Sequence, residues 1–441
     1  MFVSILAFVF VLGIVVVVHE AGHFLAARAL KAPVEVFSVG FGKRLWGFER
    51  GGTDYRLSLF PLGGYVRIVG LGPDESMIDD AEDVELLPRW KRALILLAGP
   101  ITNVVAAIFF LAVAFLIGVE TPAYFEQAPV AGWVEPDSPA DQAGILPGDL
   151  VVAVNGARIA SWRDLQMSLG TAGGRLLEVE IQRDGRDSSV ALTPEKITRY
   201  DFGYSGLAPQ LDATVIRLQA GSPAEGAGLR PGDRITAVDG EAVRHFYDLI
   251  RLISPRPDQE VTLTLTREGD TIALPITPRD VGGEGKIGIP VVFPTEMRQL
   301  NPIAAVAAAS QECVRMTRDT FKILGKLVTR RTSIKQVSGP VEIARFSGEA
   351  VRGGLRSLIW FLGLISLQLG IFNLLPIPIL DGGHLTILAF ESAIRRDLSL
   401  KLKERILEVG LVLLLLLTVV VMYNDIMKNI PESLYRLLHR S

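Results

Sequence analysis

The sequence predicts a polytopic α-helical membrane protein: four transmembrane helices, two extracytoplasmic α+β domains and a membrane-associated β-hairpin. Three observations predict this. Hydrophobic residues make up 49% of the 441, more than an ordinary soluble domain carries. Four apolar runs are long enough to span a hydrocarbon core of ~30 Å. A long polar stretch between the second and third runs contains a repeat, offset by 84 residues between 138 and 222.

Composition excludes some functions. The net charge of -3 leaves no electrostatic footprint for nucleic acid. The single cysteine, Cys313, rules out an internal disulfide framework and supplies too few thiolates for a cysteine-based zinc site.

The first span is 1–30. It has no basic leading region and no small-residue cleavage site, so it reads as a retained helix rather than a signal peptide. Residues 31–92 form a loop. Within it, "VEVFSVGFGKRLWGFERGGTDYRLSLFPLGGYVRIVG" alternates on both sides of "RGG", which predicts a hairpin. Phe37, Phe41, Trp46, Phe48, Phe60 and Tyr65 make it apolar enough to dip into the bilayer. Unpaired strand edges cannot face lipid, so it must face protein or a cavity. "GPDESMIDDAEDVELLP" follows as an acidic, mobile connector. "RWKR" (89–92) then anchors the second span, 93–119, at the interface.

The central segment holds the repeat. "SPADQAGILPGDLVVAVNG" aligns without a gap to "SPAEGAGLRPGDRITAVDG", with 11 of 19 positions identical. The same offset relates "RDG" (183–185) to "REG" (267–269). Each copy reads as short helix, turn, strand, helix and alternating strands. This unit resembles the circularly permuted PDZ domains of bacterial proteases, over 120–203 and 204–292. The resemblance implies binding of extended peptide segments by strand addition.

Residues 293–357 predict amphipathic interfacial helices, with Glu312, Arg315, Arg318, Asp319 and Lys322 on the polar side. The third span is 358–383, followed by a loop at 384–405, a fourth span at 406–424 and a tail at 425–441. The loop at 31–92 carries nine Lys/Arg, and the one after the third span carries Arg395, Arg396, Lys401, Lys403 and Arg405. The positive-inside rule places both in the cytoplasm, with the termini and the repeat outside.

The first span ends on chemistry. "HEAGH" puts His19 and His23 on one helix face, where they can hold one metal ion, and Glu20 beside a metal-bound water as general base. Neutral imidazole suits Zn²⁺, which lowers the pKa of bound water to near 7. A chance occurrence or a hydrogen-bonded histidine pair is the bland alternative. At membrane depth each such group still needs a partner.

Catalytic zinc usually has three protein ligands. "NLLPIPILDGGH" (373–384) supplies candidates. At 1.5 Å per residue, Asp381 and the histidines lie at about the same depth, roughly 27–35 Å from the outer ends of their spans. Pro376 and Pro378 interrupt the helix, as expected where backbone lines a cavity. His384 competes with Asp381, which is favoured because it precedes the two glycines.

Together these motifs resemble the site-2 protease family and, within it, the bacterial regulator-of-sigma-E group. The residues carrying the resemblance are HExxH on the first span, "AGPITNVVAA" (98–107) on the second, "LDGG" on a late span, and the paired PDZ-like domains. It implies an intramembrane zinc endopeptidase of the bacterial inner membrane, with the PDZ-like pair in the periplasm. His19, His23 and Asp381 would be ligands and Glu20 the base. Asn373, Pro376, Pro378, Gly99, Pro100 and Asn103 would help bind substrate. The family also implies strand addition at the hairpin (43–60), and single-span substrates such as trimmed anti-sigma factors or signal-peptide remnants. A metal transporter or a catalytically silent metal-binding adaptor are the rival readings. The first lacks an intramembrane repeat, and the second has no use for Glu20.

Overall fold

The computed structural model describes residues 2–71, 85–197 and 200–429. The acidic connector at 72–84 and the tail from 430 lie outside the described residues. The chain divides into two units, Met1–Val119 with Met297–Ser441, and Glu120–Glu296.

Helix α1 (Phe2–Ala29) is an apolar run without proline. Ala7, Val11, Val15, His19, His23 and Ala27 recur every four residues and are buried, so one face packs and the rest is left for lipid. Strands β1 (Val34–Arg50) and β2 (Thr53–Ile68) pair antiparallel, with Arg50 opposite Thr53. The turn between them needs two residues of positive φ, and Gly51 and Gly52 supply it at 60° and 78°. Val34 and Ile68 at the hairpin's base are buried with Ala27 of α1 and Ile95. Phe41, Leu45, Trp46, Phe48 and Phe60 further out are exposed.

Helix α2 (Arg89–Ile117) contains Pro100. It approaches α1 closely at Gly22, where a methyl group would strike the Ala98 carbonyl and the Thr102 hydroxyl.

The central unit carries the repeat as two copies of one design. In the first, β3 (Leu150–Val154), β4 (Ala157–Arg158), β5 (Leu177–Arg183) and β6 (Arg186–Leu192) form an antiparallel sheet of order β4-β3-β5-β6. Helix α3 (Trp162–Gly170) is capped by Ser161. Val151, Val154, Val179 and Ile181 alternate inward to meet Trp162, Leu165 and Leu169. In the second copy, β7 (Arg234–Val238), β8 (Glu241–Ala242), α4 (Phe246–Ile253), β9 (Val261–Arg267) and β10 (Asp270–Ile276) repeat the order as β8-β7-β9-β10. Ile235, Val238, Leu263 and Leu265 meet Phe246, Leu249 and Ile253.

The chain then forms α5 (Pro302–Val328), capped by Asn301, and α6 (Pro340–Arg352). Helix α7 (Gly354–Asn373) follows, then α8 (Asp381–Ile394) and α9 (Leu400–Asn429). Alanines 107, 305, 308 and 309 let α2 and α5 pack tightly with Leu367 and Ile371 of α7. Among the described residues, four helices are long and apolar enough to cross a membrane: Phe2–Ala29, Arg89–Ile117, Gly354–Asn373 and Lys401–Lys428.

Two boundaries differ from expectation. The third span stops at Asn373, and residues 374–380 are irregular. Residues 384–394, expected as loop, continue a helix begun at Asp381. The basic residues at 395 and 396 suggested a loop, but the apolar stretch before them has a protein face to bury: Leu388 and Glu391 lie one turn apart and both are buried.

Candidate metal centre

The site begins with helical spacing. His19 and His23 sit one turn apart on α1 and are both buried, with their Nε2 atoms 3.2 Å apart. Helix α2 lies against them through Gly99. A Cβ there would strike His23 Nε2 and the His19 ring, so only glycine leaves room for both imidazoles. From the same helix, the Ile95 carbonyl accepts a 2.8 Å hydrogen bond from His23 Nδ1. A carbonyl can only accept, so the proton of neutral His23 is on Nδ1 and its Nε2 carries a bare lone pair.

The irregular segment after α7 delivers the third group. Pro378 packs against Gly410 of α9, and Ile379 holds a φ of +86°. A β-branched residue there costs roughly 1–3 kcal/mol and is tolerated where the surroundings impose it. Gly382 and Gly383 let the start of α8 fold back onto the carbonyls of 374–377. Asp381 Oδ2 is thereby set 3.1 Å from His19 Nε2 and 3.5 Å from His23 Nε2. It has no hydrogen-bond partner.

These three ligand atoms, all within 4.8 Å of one another, have edges of 3.2, 3.1 and 3.5 Å. A tetrahedral zinc ion with bonds of about 2.0–2.1 Å has ligand–ligand edges of about 3.3–3.4 Å. The donor set and its spacing therefore fit zinc, and the orphaned carboxylate oxygen needs a cation.

The cluster opens into a cavity of about 680 Å³. Its walls include Glu20, the strand segment 65–68 at the end of β2, Asn373, Asp381 and His384. Gly64 lies beside Glu20 and lets β2 approach β1, since a Cβ there would strike the Ser38 carbonyl oxygen at 2.7 Å. Of the hairpin, the end of β2 at 65–68 and Arg56 line this cavity.

Comparison with known proteins gives the family. The profile described as peptidase family M50 matches residues 7–417. The chain belongs to peptidase family M50. It is 34% identical to the regulator of sigma-E protease RseP of Salmonella typhimurium, covering 96% of this chain and 98% of that one. It is 32% identical to RseP of Escherichia coli, over 95% and 97%. It is 35% identical to a Neisseria meningitidis protein provisionally named a zinc metalloprotease, over 96% and 98%. This M50 peptidase is therefore a zinc-dependent metalloprotease of the membrane.

The other expected site residues of the peptidase separate into groups. Asn373 lines the cavity, with its amide 3.2 Å from His19 Nε2. His384 lines it too, outside the three-atom cluster. Gly99 acts by leaving space. Pro100, Asn103, Pro376 and Pro378 do not line the cavity. Asn103 is fully buried beside His19, and Pro376 is exposed.

Several charged wall residues are not marked by the sequence as part of a site, among them Arg92, which is buried, Glu391 and Lys403. Glu391 and Lys403 pair at 2.6 Å, both buried. The signal was present: 381, 384, 388 and 391 fall on one helical face, and all four line the cavity.

Proposed function

We propose that this peptidase cuts single-span membrane proteins within the membrane, with His19, His23 and Asp381 holding zinc and Glu20 as general base. The observation that carries the reading is the triangle of two imidazole nitrogens and one carboxylate oxygen at close to tetrahedral spacing. When bound, zinc supplies Lewis acidity, acidifying a coordinated water and polarising the scissile carbonyl.

The protein's own groups do the rest. Glu20 accepts a proton from the attacking water as its oxygen bonds to the carbonyl carbon. It returns that proton to the amide nitrogen as the C–N bond breaks. The Asn373 amide, at the cavity wall, is positioned to donate to a substrate carbonyl. A helical substrate must first unwind, which strands its backbone groups in lipid. The strand segment 65–68 offers replacement hydrogen bonds by strand addition.

The substrate class we infer is the trimmed anti-sigma factor, by analogy with the sigma-E regulators named above, with signal-peptide remnants as a second class. The protein would sit in the bacterial inner membrane with the repeats as a periplasmic PDZ pair. Supporting that pairing, the second copy has a groove of about 650 Å³ lined by Leu218, Phe246, Leu249, Ile253 and Ile287, suited to an extended apolar peptide.

The test is Glu20→Gln beside wild type, each co-expressed with a single-span client. Cleavage should fall ~10²–10⁴-fold while zinc content stays at the wild-type level. Undiminished turnover by the purified variant overturns the assignment.

A further inference from the structure

The motif "GPITN" on α2 ends in an asparagine that the proposed mechanism does not use. Asn103 is fully buried, stands off the cavity wall, and meets His19 Nδ1 at 3.3 Å. Its backbone carbonyl is held by the Ser366 hydroxyl at 2.8 Å. Gly370 of α7 lies so close that a Cβ there would come 3.3 Å from Asn103 Cβ. The side chain is thus confined by two helices and aimed at one imidazole.

The hydrogen-bond arithmetic around that imidazole does not close as it stands. Asn103 Nδ2 faces His19 Nδ1, and Asn373 Nδ2 faces His19 Nε2. An amide nitrogen only donates, whereas a neutral imidazole has one donor nitrogen and one acceptor. One of the two carboxamides must therefore turn its oxygen toward His19. Two observations select Asn103. Its Oδ1 is otherwise buried without a partner. Only a protonated Nδ1 leaves Nε2 bare toward Asp381 Oδ2 and His23 Nε2, the atoms 3.1 and 3.2 Å away.

We propose that Asn103 is a positioning residue for zinc: its Oδ1 accepts the His19 Nδ1 proton, fixing the tautomer and the ring plane that point Nε2 at the metal. A half-turn of the carboxamide achieves this without moving the backbone, since the two ends of an amide are nearly the same shape. The arrangement mirrors the other ligand. His23 donates its Nδ1 proton to the Ile95 carbonyl, so α2 holds both rings from behind, with Gly99 making room between the two anchor points. Residues 95, 99 and 103 are spaced by four and run along one side of the helix. Metal-bound histidines generally depend on such a partner for their second nitrogen, and its loss typically weakens metal binding about 10–100-fold.

The inference rests on His19, His23 and Asp381 being the zinc ligands, and the experiment separates the two. Zinc affinity of the purified, metal-stripped full chain is measured by competition with a chromophoric chelator, for wild type, Asn103→Leu, Asn103→Asp and Asp381→Ala. Leucine matches the shape of asparagine but accepts nothing, so its affinity should fall about 10–100-fold. Aspartate, when ionised, can only accept, so its affinity should stay within a few-fold of wild type. Wild-type affinity in Asn103→Leu would overturn the proposal. So would a loss in Asn103→Asp as large as in Asn103→Leu, because the amide would then be acting as donor. If Asn103→Leu does not fold, the aspartate variant decides alone: retained affinity supports an acceptor at 103, and a loss of ten-fold or more refutes it. Should Asp381→Ala bind zinc like wild type, the ligand assignment has failed and not the role of Asn103. An Asn103→Asp variant that keeps its affinity while Asp381→Ala loses zinc is the expected pattern.

Discussion

Asp381 in the membrane unit and the paired aspartates of the central unit are all well shielded from solvent, yet their surroundings are opposite. Asp149 accepts from Arg183 Nε and the second guanidinium nitrogen, both at 2.7 Å, and from Leu146 N at 2.8 Å. Asp233 repeats this with Arg267 at 2.7 and 2.6 Å and Arg230 N at 2.8 Å. Every oxygen has a donor. Asp381 Oδ2 faces two imidazole nitrogens at 3.1 and 3.5 Å with no hydrogen bond. A buried acid that is fully matched holds a fold together. One that faces lone pairs is incomplete until a cation arrives.

The comparison breaks if the two kinds of acid behave alike. The largest difference should appear in Asp381→Ala, which removes a ligand and the orphaned charge together. Zinc content and proteolysis should both collapse, while the thermal unfolding of the central unit stays at wild type. Elemental analysis with calorimetry checks this. Retained stoichiometric zinc would show that the triangle does not need its third corner.

The reverse pattern is expected of Asp233→Ala. It strands a guanidinium hydrogen-bond system but touches no metal ligand. The unfolding midpoint of the central unit should drop by roughly 5 °C with zinc content unchanged. The first copy, through Asp149→Ala, should respond similarly, since the contacts recur at the same offset.

Acid sharpens the contrast. In Asp149, burial pushes the carboxyl up, but hydrogen bonds from Arg183 and Leu146 N outweigh it and leave the group below its ordinary value. In Asp233 the hydrogen bond from Arg267 is the main cause of a shift in the same direction. A carboxylate depressed on folding stabilises the native state above its unfolded pKa, about 4. That stability is lost as pH falls through the lower folded value. The midpoint of the wild-type central unit should therefore fall below pH ~4. The double variant Asp149→Asn, Asp233→Asn should show a flatter curve there. Parallel curves in a pH-resolved calorimetric series would refute the linkage.

The smallest effect belongs to His384→Ala. His384 shares the cavity with the cluster but not its geometry, so zinc content should hold and activity should change only a few-fold. If zinc is lost here and kept in Asp381→Ala, the third ligand is His384.

Much of this was legible because it depends on short-range periodicity. The pair His19 and His23 follows from one helical turn, and the hairpin from "RGG", whose glycines alone accept positive φ at both positions. The repeat was visible as an offset, but its meaning was not. The Asp of each "PGD" and the Arg of "RDG" or "REG" stand in the sequence only as matched positions of the repeat, and in each copy they prove to be an ion pair, because strands β3 and β5, or β7 and β9, lie side by side. The helix through 384–394 was missed since its charges look like a loop until a protein face is there to bury them.

By itself the sequence determined the helical spacing of His19, Glu20 and His23, the presence of four spans, the hairpin turn and the two-copy design. Each needs only dihedral preferences, periodicity or hydrocarbon thickness. Tertiary structure decided which atoms meet. Asp381 reaches the histidines only after the chain leaves α7 and bends at 374–380. Gly99 matters only because α2 crosses α1 at the imidazoles, and Asn103 is set behind His19 only because the same crossing brings it there. Those facts turn on contacts between residues as far apart as 19 and 381, where no local preference acts and packing alone selects the partner.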